Sequence, residues 1–147
     1  MSDIIHAARA PKPMGAYPHA RRVGNLLFLS GVGPRDPSTN AIIGNVYDIE
    51  GRLLSYDIEA QCRAAFANVR AILHASGARW EDLVDVTAFL TDMARDFAAY
   101  NRLYTEYFRD AQPCRTTLGI SALPTPIAIE LKCVAQLSSP PPLAGEG

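Results

Sequence analysis

Two stretches of the chain repeat apolar residues at the spacing of one helix face. The first repeat comprises Ile58, Cys62, Ala65, Phe66, Val69, Ile72 and Leu73. The second comprises Phe97, Tyr100, Leu103, Tyr104, Tyr107 and Phe108. Asp57 is a suitable N-cap for the first stretch, and Gly77 is a suitable stop signal. The pattern therefore predicts two amphipathic helices, each burying one face.

Shorter apolar runs bounded by turn-forming residues predict strands. They lie at residues 20–23, 26–30, 83–90, 115–121 and 127–137. The first two flank Gly24-Asn25, which indicates a hairpin. Residues 36–55 are rich in turn formers around the pair Ile42-Ile43, so we expect a long loop there with room for one short strand.

The predicted order is β-β-(β)-α-β-α-β-β, with the bracketed strand optional. This order is typical of an α+β sandwich, in which two helices pack on one face of a mixed sheet of about six strands. In the last strand, the alternate residues 127, 129, 131, 133 and 135 are all apolar. The opposite face is semi-polar, which suits an oligomer interface or a binding site better than a dry core.

The two ends of the chain differ from this pattern. Residues 1–12 include Pro11 and lack helical spacing, so we expect a loose segment there. Residues 138–147 are Pro-rich and low in complexity, which predicts a flexible tail. The expected domain therefore spans residues 13–137.

Composition narrows the class of protein. The 147 residues suit one domain, and 48% are hydrophobic. The net charge of −1 argues against a nucleic-acid partner. The three cysteines show neither a CxxC spacing nor a Cys/His ligand spacing, which argues against a disulfide framework and a metal site. We find no secretory signal and no apolar run long enough to span a membrane, so we expect a cytoplasmic protein without a membrane partner.

Glu130 is the first candidate for chemistry, because it lies in an otherwise apolar strand. Partial desolvation would raise its pKa and make it a usable acid or base. An ion pair with Lys132 of a neighbouring strand is an equal alternative. Arg115, at the start of a strand, could form a forked pair with a carboxylate. It could also be an ordinary surface arginine.

Three further residues have both a functional and a structural interpretation. Tyr17 could cover a ligand or pack in a loop. Gly31 could let its backbone approach a ligand or end a strand. Asn101 could bond across an interface or face solvent. The residues alone thus indicate an α+β domain with a candidate carboxylate site.

Several separated motifs resemble the Rid (reactive intermediate deaminase, YjgF-like) family. They are Gly15-Ala16-Tyr17 and the segments at 23–31, 57–63, 89–93, 100–104, 113–117, 123–124 and 129–132. The likeness runs from about residue 13 to residue 137 with the motifs in the same order.

Within this family the chain is most similar to the 2-aminomuconate deaminase branch. The similarity rests on Tyr17-Pro18-His19, on a long segment at 45–56, on Arg115-Thr116-Thr117 and on Glu130-Leu131-Lys132. There are also departures from the branch. The turn at Ala94-Arg95 is one residue longer, Ala16 replaces a bulkier or basic residue, and Thr117 stands where some relatives carry cysteine.

The resemblance implies a chorismate-mutase-like fold and a homotrimer with sites in the clefts between subunits. It implies that imines or enamines of 2-oxo acids are hydrolysed without a metal or organic cofactor. Arg115 would hold the substrate carboxylate and Glu130 would handle protons and water. Tyr17, Gly31, Asn101 and Thr117 would line the cleft.

For 2-aminomuconate, a second carboxylate also needs a partner, for which the candidates are His19, Arg21, Arg22 and Arg35. Two alternatives remain open. One is a broad-range deaminase of 2-iminopropanoate-type compounds. The other is a non-catalytic ligand-binding or regulatory trimer. A role on RNA fits poorly with the acidic balance.

Overall fold

The computed structural model describes residues 3–137. The predicted tail at 138–147 lies outside the described residues. The strands are β1 (Ile4–Ile5), β2 (Ala20–Val23), β3 (Leu26–Leu29), β4 (Asn45–Tyr47), β5 (Leu53–Tyr56), β6 (Leu83–Leu90), β7 (Cys114–Gly119) and β8 (Ile129–Gln136). The helices are α1 (Ile58–Ala75) and α2 (Met93–Phe108), and Trp80–Asp82 forms a 3₁₀ turn.

Six of these strands form one mixed sheet in the order β1-β2-β3-β8-β6-β7. Strands β6 and β7 are parallel and are joined through α2, whereas the other neighbours are antiparallel. Both helices pack on one face of this sheet. The predicted α+β architecture, with two helices on a mixed sheet of six strands, is therefore confirmed.

The first helix begins and ends where the sequence predicts. The Asp57 carboxylate accepts a hydrogen bond from the Ala60 amide at 3.1 Å, which caps the first turn. The helix ends at Ala75, and Gly77 follows with a φ of 77°. This left-handed conformation carries little penalty for glycine.

Alternation along β8 separates the two faces of the sheet. Ile129, Leu131, Cys133 and Ala135 are fully buried towards the helices. Glu130 and the other even-numbered residues point to the opposite face, which we call the open face because neither helix covers it. The site is therefore to be sought on this face and at the edges of the sheet.

Residues 36–55 differ from the predicted loop, because β4 and β5 pair as a separate two-stranded sheet. The Asp48 carboxylate accepts hydrogen bonds from the amides of Glu50 and Arg52 and so closes the turn between them. Turn-forming residues can close a hairpin as well as build a loop. Both strands are largely exposed, so no burial pattern reveals them in the sequence.

The expectation of a loose segment at 1–12 is wrong for the described residues 3–12. Strand β1 pairs with Ala20 and Arg21 of β2 at the edge of the sheet. Ala7 and Ala10 are buried in the core. Proline excludes a helix here but leaves this edge pairing possible. Within residues 3–137, no helix is both long and apolar enough to cross a membrane.

Candidate active site

Glu130 lies on β8, directly opposite Phe89 of β6, near the middle of the sheet. Its side chain is half-buried. Desolvation raises the pKa of the Glu130 carboxyl above its ordinary value of 4.5, and the nearby charge of Arg35 opposes this shift. Lys132 donates a hydrogen bond to the Leu29 carbonyl at 2.9 Å, rather than forming an ion pair with this carboxylate. Glu130 is thus a half-buried carboxyl group that holds its proton more tightly than an exposed glutamic acid does, as a general acid or base requires.

Gly31 lies beside the Glu130 carboxylate and leaves the space that this group occupies. A Cβ at this position would lie 2.7 Å from Glu130 Oε1 and 2.9 Å from its Cδ. Any larger residue would therefore displace the carboxylate. The close approach also places the Gly31 backbone where it can contact a molecule bound at Glu130.

An open cavity of about 480 Å³ surrounds this carboxylate. We call it the Glu130 cavity, and it is lined by Tyr17, Ser30, Gly31, Phe89, Glu130 and Lys132. The structure thus brings together three residues that the sequence singled out. Ser30, Phe89 and Lys132 were not predicted as site residues. The alternation along β8 already placed Lys132 on the Glu130 side, whereas Phe89 could be found only from the strand register.

Arg115 belongs to a second group, on the edge strand β7. Its Nη1 donates to Asn101 Oδ1 at 2.8 Å. The guanidinium carbon lies 4.6 Å from the ring centre of Tyr104 and 5.5 Å from that of Tyr100. The hydroxyls of Thr117 and Tyr100 share a hydrogen bond of 3.0 Å. We call these five residues the Arg115 cluster.

The cluster presents a fixed, exposed cation. Stacking on aromatic faces restrains the guanidinium, and its remaining N–H groups can fork onto a carboxylate. Burial raises the pKa of the Tyr100 and Tyr104 hydroxyls, which therefore stay neutral. Asn101 and Thr117 thus lie beside Arg115 in one cluster. Their role as lining of a substrate cleft stays a prediction.

The strand register places the two groups on opposite faces of the sheet. Arg115 and Thr117 are aligned with Val86 and Ala88 of β6, which point towards the helices and are buried. Glu130 is aligned with Phe89, which points to the open face. Paired residues of neighbouring strands share a face. Within one chain, the structure therefore does not bring Arg115 and Glu130 together.

His19 does not fit its predicted role as a substrate ligand. Its Nδ1 accepts a hydrogen bond from the Ala7 amide at 2.8 Å, and its Nε2 lies 2.7 Å from the Pro11 carbonyl. The ring is therefore the Nε2–H tautomer, since an amide can only donate and a carbonyl can only accept. Both nitrogens are occupied in holding the N-terminal segment against the sheet.

The four candidate partners for a second carboxylate all lie outside the Glu130 cavity: His19, Arg21, Arg22 and Arg35. Arg22 donates to the Gly24 carbonyl, and Arg35 donates to Asn40 Oδ1 and to the Lys12 carbonyl. Among residues 3–137, no group of three or more His, Cys, Asp or Glu side chains is placed to hold a metal ion.

Comparison with known proteins places this geometry in a family. Residues 7–137 match the family model described as Endoribonuclease L-PSP. The chain is 38% identical over 135 residues to a RutC family protein of Pyrococcus horikoshii, an alignment that covers 92% of this chain and 98% of the relative. It is 35% identical over 135 residues to Reactive Intermediate Deaminase A, chloroplastic, of Arabidopsis thaliana, covering 92% of this chain and 66% of that protein.

A solved structure shares the fold. The crystal structure of E. coli TdcF with bound serine superimposes with a TM-score of 0.79 at 30% identity, covering 92% of this chain and 98% of TdcF. The predicted chorismate-mutase-like fold is thereby confirmed. From its motifs, its fold and the match over residues 7–137, this chain belongs to the endoribonuclease L-PSP family, which is the Rid or YjgF-like family.

Proposed function

We propose that this protein is a hydrolytic deaminase of 2-oxo-acid imines and enamines, with 2-aminomuconate as its preferred substrate. One water is consumed, and the products are 4-oxalocrotonate (2-oxohex-3-enedioate) and ammonia. Membership of the Rid family and the similarity to a Reactive Intermediate Deaminase support the reaction class. Serine, bound in the TdcF structure, carries a carboxylate next to its nitrogen-bearing carbon, as the proposed substrates do.

One observation carries the proposal: the carboxylate-binding group and the proton-transfer group lie on opposite faces of one sheet. A second copy that places its β7 edge against the open face would join an Arg115 cluster to a Glu130 cavity. We therefore propose a homotrimer with a shared site at each interface. The open face also carries exposed apolar side chains that a second subunit would bury. Val23 is 59% exposed, Phe28 is 38% exposed and Leu118 is 44% exposed.

The proposed reaction begins with tautomerisation of the enamine to the imine, whose carbon is electrophilic. Arg115 binds the adjacent carboxylate through two N–H groups and fixes this carbon. Glu130 takes a proton from a water molecule as the oxygen attacks. It returns this proton to the nitrogen, which gives a carbinolamine. Glu130 then carries the proton of the new hydroxyl to the nitrogen, so that the C=O bond forms as the C–N bond breaks and ammonia leaves. The raised pKa of Glu130 supports these proton transfers.

The choice of 2-aminomuconate rests on the similarity to that branch at Tyr17-Pro18-His19, in the long segment 45–56, and at Arg115-Thr116-Thr117 and Glu130-Leu131-Lys132. A broad-range enzyme would act on monocarboxylates such as 2-iminopropanoate equally well. The two hypotheses separate by the ratio of kcat/KM for the dicarboxylate to that for the monocarboxylate.

The test is ammonia release from enzymatically generated 2-aminomuconate, measured for the wild type, Arg115→Ala and Glu130→Gln. We expect release well above the spontaneous rate in the wild type and its loss in both variants. Hydrolysis of 2-iminopropanoate alone would support the broad-range enzyme. Binding of carboxylates without acceleration of either reaction would support a non-catalytic trimer. Strong, salt-dependent RNA binding would instead favour an RNA-directed role.

A further inference from the structure

Lys132 is a cation inside the Glu130 cavity to which the proposed reaction gives no role. It follows Glu130 by two residues on the same face of β8, which separates their Cα atoms by about 6.6 Å. Its Nζ donates to the Leu29 carbonyl at 2.9 Å. An ammonium has three donors, so this bond holds the group in place and leaves two donors available to a ligand.

Among the residues that line the Glu130 cavity, Lys132 is the cation. The charge of Arg35 acts on Glu130 from outside this lining. Besides Glu130 and Lys132, the cavity is lined by the polar or apolar residues Tyr17, Ser30, Gly31 and Phe89. A dicarboxylate substrate brings two negative charges towards the Glu130 carboxylate. Arg115, on the other face of the sheet, is committed to one of them in the proposed reaction. A cation in the lining of the cavity can pair with the second substrate charge.

The length of 2-aminomuconate fits this arrangement. Its distal carboxylate carbon lies four bonds from the imine carbon, or about 5 Å in an extended chain. This span is comparable to the Cα–Cα separation of Glu130, which acts at the imine carbon, and Lys132. By contrast, both nitrogens of His19 are occupied. The Arg35 guanidinium donates to Asn40 and to the Lys12 carbonyl and does not line the Glu130 cavity, although its charge acts on the Glu130 carboxyl.

We propose that Lys132 binds the distal carboxylate of a dicarboxylate imine and thereby sets a preference for dicarboxylate over monocarboxylate substrates. This inference rests on the proposed deaminase function. Lys132 contacts neither the reacting carbon nor the leaving nitrogen, so its contribution is to binding. Its loss therefore acts mainly on KM for the dicarboxylate.

The test compares Lys132→Met, Lys132→Arg, Arg35→Met and Lys12→Met with the wild type. Lys12 and Lys132 are the only lysines in the sequence, and Lys12 does not line the cavity, so Lys12→Met is a matched control for charge. The readout is kcat/KM for 2-aminomuconate divided by kcat/KM for 2-iminopropanoate. We expect Lys132→Met to lower this ratio by about ten- to hundredfold, the range for a hydrogen bond to a charged group. Lys132→Arg should keep most of the ratio, and Lys12→Met should leave it unchanged.

The outcomes distinguish this inference from the proposed function. A wild type that hydrolyses both substrates, with a ratio that stays within twofold in Lys132→Met, overturns the role of Lys132 alone. A selective loss in Arg35→Met instead moves the second carboxylate to Arg35. A wild type that accepts only the monocarboxylate overturns both the dicarboxylate preference and the role of Lys132. A wild type that accelerates neither reaction removes the deaminase function, and this inference falls with it.

Discussion

Two inactive variants should restore each other's activity when they assemble together. Arg115→Ala removes the carboxylate-binding group, and Glu130→Gln removes the proton-transfer group. The two residues lie on opposite faces of one sheet, so a site that uses both combines Arg115 of one subunit with Glu130 of another. A mixed oligomer then contains interfaces at which both residues are intact.

The expected recovery follows from the symmetry of a closed ring. Each head-to-tail interface takes its arginine from one subunit and its glutamate from the next. In an equal mixture that assembles at random, the subunit that supplies the arginine carries Arg115 with a probability of one half. Its neighbour independently carries Glu130 with a probability of one half. We therefore expect about one quarter of wild-type ammonia release, whatever the number of subunits in the ring.

The assay is ammonia release from 2-aminomuconate or 2-iminopropanoate after the two variants are unfolded and refolded together in equal amounts. A mixture of Arg115→Ala with the double variant Arg115→Ala/Glu130→Gln is the matched control, because none of its interfaces regains an arginine. Mixed assembly is verified by mass spectrometry of the intact oligomers. If mixed oligomers form and activity stays at the level of the separate variants, the shared site is refuted.

Three further predictions concern the packing and titration of single groups. Gly31→Ala places a methyl group 2.7 Å from Glu130 Oε1 and should lower kcat by roughly a hundredfold. Gly119→Ala is the control and should keep activity, because its added Cβ lies 3.5 Å from the nearest atom. Glu130→Gln should raise the Tm near pH 7. Because the pKa of Glu130 is raised in the native state, the native wild type binds this proton more tightly than the unfolded chain does. The stability of the wild type therefore falls as the pH rises above 4.5, and the variant escapes this loss. Tyr56→Phe should lower the free energy of unfolding in urea by about 1–3 kcal/mol, because Tyr56 Oη donates at 2.6 Å to the buried Asp96 carboxylate.

Each of these predictions has an outcome that contradicts it. Wild-type kcat in Gly31→Ala would mean that the Glu130 carboxylate can move aside at no cost to the reaction. A Tm difference between Glu130→Gln and the wild type that persists unchanged at about pH 3 would show that charge is not its cause. Tyr47→Phe, which alters an exposed hydroxyl on the same hairpin, serves as the control for Tyr56→Phe. Equal losses in both would argue against a special contribution from Asp96.

The sequence alone determined the elements that bury one face, because burial of one face requires apolar residues at a regular spacing. The apolar repeat from Ile58 to Leu73 predicted α1, because one helix face must meet the sheet. Gly24-Asn25 predicted the hairpin of β2 and β3, because the turn needs a left-handed residue and Gly24 adopts a φ of 62°. Alternation along β8 separated Glu130 from the buried positions.

The tertiary structure decided what depends on partners distant in the chain. The hairpin of β4 and β5 and the pairing of β1 lack a buried alternating pattern, so local sequence could not distinguish them from loops. The contact between Gly31 and Glu130 joins residues far apart in the chain, and no local pattern encodes it.

The arrangement of the site was decided in the same way. Strand β7 is exposed or half-buried along its whole length, so its sequence does not reveal which side faces the helices. Only its register with the buried residues of β6 places Arg115 on the helix side, opposite to Glu130. A sequence pattern can identify the residues that carry charge, but the pairing of strands fixes the face on which each charge lies.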